Sequence, residues 1–72
     1  MEYLVKYTVR FSRLKYEEEV ILESSCDCDL ARKIFRQMLE KKETIRIAAL
    51  KDAPSKFNVQ VVIYDMQPVN IN

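Results

Sequence analysis

Seventy-two residues carrying 12 basic and 11 acidic side chains give a formal charge of +1, so neither a strongly basic nor a strongly acidic partner is implied. A chain this short forms a single domain that buries only about 60–65% of its unfolded surface, and it gains from a second copy or another partner. Glycine and histidine are both absent, which excludes Gly-rich phosphate loops, imidazole general bases, Cys–His and Ser–His nucleophile pairs and histidine metal ligands.

Glu2 to Phe11 alternates strictly, with Tyr3, Val5, Tyr7, Val9 and Phe11 on one face and Leu4, Lys6, Thr8 and Arg10 on the other. Aromatic and β-branched residues at period two predict a half-buried strand. The same alternation leaves no signal-peptide core, and no apolar run approaches the ~20 residues needed to span a bilayer. A cytoplasmic location without a membrane partner is therefore expected. Tyr16 to Ser24 predicts a second strand, with Tyr16, Val20 and Leu22 facing the core. A four-residue loop over Ser12–Lys15 would set Phe11 against Tyr16, Tyr7 against Val20 and Val5 against Leu22, with Arg10 opposite Glu17 on the solvent side. Glu17 and Glu19 then read as members of a cross-strand charge ladder. Glu18 is the awkward residue, pointing toward the core face near its edge.

Ser24-Ser25-Cys26-Asp27-Cys28-Asp29 reads as a junction into a helix, with Asp27 as the leading N-cap candidate and Ser25 and Asp29 as its rivals. The two cysteines are too close to staple the fold, which suits a reducing compartment. They also supply at most two sulfur ligands, so no metal site is expected unless two copies share one. From Asp27 to Lys42 the residues Leu30, Ala31, Ile34, Phe35, Met38 and Leu39 form one apolar stripe at helical period, opposite Arg32, Lys33, Arg36, Gln37, Glu40 and Lys41. Arg32, Lys33 and Arg36 are the candidate residues for binding nucleic acid. Charge falls in blocks of +3, −6, +4 and 0 over residues 1–15, 16–29, 30–46 and 47–72. Blocks of alternating sign neutralise one another and leave no broad basic field.

Thr44 to Lys51 and Phe57 to Met66 read as a second hairpin around the loop Asp52–Lys56, with Ile45 opposite Ile63, Ile47 opposite Val61 and Ala49 opposite Val59. Its outer face carries Arg46, Leu50, Val62, Tyr64 and Met66, residue types enriched at protein interfaces. Residues 67–72 follow as a tail that either pairs with a sheet edge or extends freely, with Pro68 interrupting the ladder. The expected fold is α+β, in the order ββαββ: a four-stranded, mostly antiparallel sheet with one helix packed on one face, all within residues 1–72. The expected function is a non-enzymatic protein-interaction module without a cofactor. A homodimer formed through the outer face of the second hairpin is the first reading. A nucleic-acid accessory protein using the basic helix face is the alternative.

Overall fold

The computed structural model describes residues 1–11, 14–51 and 59–69. Strand β1 (Glu2–Phe11) is followed by β2 (Leu14–Glu23), helix α1 (Cys28–Lys51) and β3 (Val59–Pro68). Among the described residues the sheet has three strands in the order β2-β1-β3, and both pairings are antiparallel. At 1.5 Å per residue the helix is about 36 Å long, close to the ~33 Å of a ten-residue strand. Helix and sheet therefore run side by side for their full length, and the molecule measures 43 × 18 × 17 Å.

The central strand supplies most of the core. Tyr3, Val5, Tyr7 and Val9 are buried on the face toward the helix, together with Val61 and Ile63 of β3 and Ala31, Phe35, Leu39 and Ile47 of α1. The Tyr3 and Phe35 rings meet edge-on with centroids 6.1 Å apart, a geometry that adds about 0.5–1.5 kcal/mol beyond burial. Asp27 caps the helix, its Oδ1 accepting the Leu30 N–H at 2.9 Å while its carbonyl accepts the Ala31 N–H at 2.8 Å. The strand-to-helix junction is tied by the Ser24 hydroxyl oxygen, which accepts the Cys26 N–H at 3.1 Å.

The α+β class stands, with one helix on an antiparallel sheet, but the expected fourth strand is helix. Thr44–Lys51 continues α1, so the proposed pairs Ile45–Ile63, Ile47–Val61 and Ala49–Val59 do not form. No glycine or proline interrupts the chain between Lys42 and Pro54, and Ala48, Ala49, Leu50 and Lys51 are strong helix formers. Their pull outweighs the β propensity of Ile45 and Ile47. Ile47 also falls on the row Ala31, Phe35, Leu39, Glu43, Ile47, every fourth residue, and all five are buried.

The first hairpin keeps its faces and changes its register. Tyr3 lies opposite Leu22, Val5 opposite Val20, Tyr7 opposite Glu18, Val9 opposite Tyr16 and Phe11 opposite Leu14. This is two residues away from the predicted pairing. A slip of two preserves which side chains share a face, so apolar alternation cannot detect it. On the outer face Lys6 now lies between Glu19 of β2 and Asp65 of β3, whereas Arg10 lies opposite Lys15 instead of Glu17.

Strand β3 has the predicted facing up to Ile63 and then changes it. Its register against β1 shifts between Lys6 and Tyr7, where Tyr64 is the extra residue of a β-bulge. Gln67 and Pro68 belong to the strand, and the Val69 N–H reaches the Glu2 carbonyl at 2.9 Å. Since alternate residues of an antiparallel ladder point toward the partner, that bond turns the Pro68 nitrogen to the open edge, where no N–H is required. The predicted loop Asp52–Lys56, the residues Phe57 and Asn58, and the tail Asn70–Asn72 lie outside the described residues.

Candidate interaction surface and polar cluster

Taking α1 as four rows of residues spaced four apart shows what each flank faces. The buried row 31, 35, 39, 43, 47 looks at the sheet. The row one residue earlier, Leu30, Ile34, Met38, Lys42 and Arg46, faces β2: Arg46 Nη2 lies 3.5 Å from Glu18, and its guanidinium sits 5.2 Å from the Tyr16 ring centroid. The row one residue later, Arg32, Arg36, Glu40, Thr44 and Ala48, faces β3. Arg32 donates from its guanidinium to the Ile63 carbonyl, and Arg36 and Glu40 line a groove with Val59, Gln60, Val61 and Val62.

This arrangement corrects the single apolar stripe read from the sequence. Ala31, Phe35 and Leu39 are buried, but Leu30, Ile34 and Met38 remain 43% to 48% exposed. The helix lies over β1 and β3, so the inward side chains of β2, including Val20 and Leu22, are only half-buried. One helix does not cover even three strands.

The predicted partner-binding residues do not form one surface. Val62 and Tyr64 project from the outer face of β3, each about half-exposed. Met66 does not join them, because the bulge at Tyr64 reverses its facing and packs it against the core beside Val5. Arg46 sits on the helix, across the sheet from Val62. Leu50 also belongs to α1, and its side chain lies outside the description. Of the candidate nucleic-acid residues, Arg32 is bonded to the β3 backbone and Arg36 is 4.0 Å from Glu40, while Lys33 stands on the neighbouring, outward row. The three are thus not a single free basic face.

Arg46 instead belongs to a polar cluster centred on Glu43, whose side chain has no exposed surface. The Tyr7 hydroxyl donates to Glu43 Oε1 at 3.1 Å and the Tyr16 hydroxyl donates to Oε2 at 2.9 Å. Arg46 Nε lies 3.4 Å from Oε2 and links the buried carboxylate to the half-exposed Glu18. Burial, then the hydrogen bond to Glu43, pushes the Tyr7 hydroxyl up to about 12, and Tyr16 is raised for the same reasons in the same order. Burial works against the charge on Arg46, but Glu43, Tyr16 and Glu18 together outweigh it and hold its pKa above the ordinary value. Both tyrosines are therefore proton donors throughout the physiological range, and neither is poised as a nucleophile or base. What the cluster does chemically is satisfy a buried carboxylate.

Two features of the sequence call for a buried acceptor such as Glu43. Tyr7 and Tyr16 both face the core and need acceptors for their hydroxyls, and Glu18 points inward without an obvious cation. Glu43 itself lies between the helix expected to end at Lys42 and the strand expected to begin at Thr44, so neither pattern assigns it a face.

Cys26 is partly buried and Cys28 exposed, both as free thiols. Among the described residues no three His, Cys, Asp or Glu side chains are grouped to hold a metal ion, and no helix is long and apolar enough to cross a membrane. Fold and surface define a small α+β domain of one helix on an antiparallel sheet. Comparison with protein families, curated proteins and solved structures finds no match.

Proposed function

We propose that the chain is a non-enzymatic protein-interaction module that associates with itself. The observation that carries this reading is the apolar surface left open on both sides of the sheet. Leu30, Ile34 and Met38 in one helix row, and Val62 with Tyr64 on β3, are all between 43% and 50% exposed. Scattered apolar residues are ordinary on a protein surface, but rows of them on elements with open flanks are the form an interface takes.

Light scattering coupled to size exclusion tests the proposal: a mass of twice 8.6 kDa at tens of micromolar supports it. A monomer at every concentration up to a few hundred micromolar refutes it.

A further inference from the structure

We infer that two copies join edge to edge along β3, in an antiparallel pairing centred on Val61, to make one continuous six-stranded sheet. This rests on the self-association proposed above and names the surface that carries it.

Among the described residues the backbone of β3 has a free side. Val69 bonds to Glu2, so the even residues of β1 point toward β3, and Thr8 and Arg10 lie opposite Val62 and Gln60. Val62 and Gln60 therefore turn their backbone groups to β1, while those of Val59, Val61 and Ile63 point outward. The free stretch is bounded on one side. At Ile63 the Arg32 guanidinium occupies the carbonyl, at Tyr64 the bulge breaks the regular repeat, and Pro68 offers no N–H.

The two sheet edges differ in charge, and that difference selects β3. Strand β2 carries Glu17, Glu18, Glu19 and Glu23, so pairing it with its own copy would bring carboxylates together, an established way of protecting an edge. Val59–Tyr64 carries no charge and consists largely of β-branched and aromatic residues. Above it stand Arg36 and Glu40, one helical turn apart in the row that faces β3. A two-fold axis beside Val61 runs the second helix antiparallel to the first, which sets Arg36 of each copy toward Glu40 of the other. Below the sheet, Gln60 of each strand then lies opposite Val62 of the other, which sets the two exposed Val62 side chains diagonal to each other across the axis.

The test uses the intact chain. Gln60→Lys with Val62→Lys places four ammonium groups around the axis on exposed positions. Arg36→Glu sets carboxylate against carboxylate in both symmetry-related contacts, and Arg36→Glu with Glu40→Arg restores opposite charges. With circular dichroism confirming the fold, the dilysine variant is expected to raise the dimer dissociation constant at least 100-fold. Arg36→Glu should raise it about tenfold, and the charge-reversed double variant should return it to within threefold of the wild type. If the lysine pair unfolds the chain, the helix-surface series decides alone. A wild-type dimer whose dissociation constant none of these variants changes overturns the β3 edge while leaving self-association intact. A monomeric wild type overturns both.

Discussion

Replacing Glu43 by leucine tests what the buried cluster contributes. Leucine nearly preserves volume, so the change removes charge and acceptors without opening a large cavity. Two hydroxyl donors lose their partner: Tyr7, buried, and Tyr16, partly buried. An orphaned buried donor costs about 1–3 kcal/mol. Partly offsetting this, a carboxylate no longer has to be desolvated, and an apolar side chain takes its place on the buried helix row between Leu39 and Ile47. Arg46 adds little, since it is 44% exposed and keeps Glu18. The net expectation is a loss of about 2–4 kcal/mol, a large part of the roughly 4–10 kcal/mol that stabilises a domain of this size. Urea unfolding followed by circular dichroism measures it. Adding Tyr7→Phe and Tyr16→Phe removes the orphaned donors as well, and the triple variant should return to within about 1–2 kcal/mol of the wild type. A Glu43→Leu protein as stable as the wild type would refute the argument, because the tyrosine hydroxyls would then have needed no acceptor.

Alkaline pH probes the same cluster from another direction. Tyr7 is raised from 10.0 to about 12, so the folded chain keeps a proton that the unfolded chain loses. This contribution is intact below pH 10 and disappears as pH rises from 10 to 12, amounting to about 2–3 kcal/mol. Stability of Tyr7→Phe should fall less steeply across that interval, and equal slopes would count against the raised pKa. Asp27→Ala removes the acceptor for the Leu30 N–H and should cost about 1 kcal/mol in the same urea assay, with no change in the β1–β2 register seen by nuclear Overhauser contacts. With Arg32 and Arg36 engaged by Ile63 and Glu40, retention on heparin should vanish by about 0.1 M salt. Retention beyond about 0.3 M that Arg32→Glu and Arg36→Glu abolish would restore the nucleic-acid reading.

The parts of the fold visible in the sequence are those that local chemistry determines. Period-two alternation located β1, the facing of β2 and the inward Val61 and Ile63. The carboxylate at position 27 located the helix start. The features that stayed hidden depend on tertiary contacts. Ile45 and Ile47 suit strand and helix alike, and the choice between them is made by whether Ile47 joins the buried row begun by Ala31. The reversed facing of Met66 comes from one extra residue in β3, which no periodicity announces. Among the interface candidates, Val62 and Tyr64 keep their predicted outward placement. Arg46 and Leu50 were lost to the helix, because their strand was inferred from alternation that a helix also tolerates.

The polar cluster also explains why the first hairpin adopts its register. Moving β2 by two residues would oppose Tyr7 to Val20 and Val5 to Leu22, pairs at least as apolar as those observed, so hydrophobic burial is nearly indifferent to the choice. The slip would carry Glu18 from beside Tyr7 to beside Val9, about 7 Å along the sheet, and away from the Arg46 guanidinium that it now approaches at 3.5 Å. Tyr16 would travel with it, leaving Glu43 without the 2.9 Å hydroxyl. Glu43 and Arg46 thus select one of two registers that the apolar pattern allows, a specificity role attested for some buried polar groups. Because β1 lies between β2 and β3, a slip of β2 leaves the β3 edge untouched. A Glu43→Leu chain that remains folded should therefore show altered β1–β2 contacts while dimerising with the wild-type dissociation constant. Coupled loss of both would place the self-association surface on β2 instead.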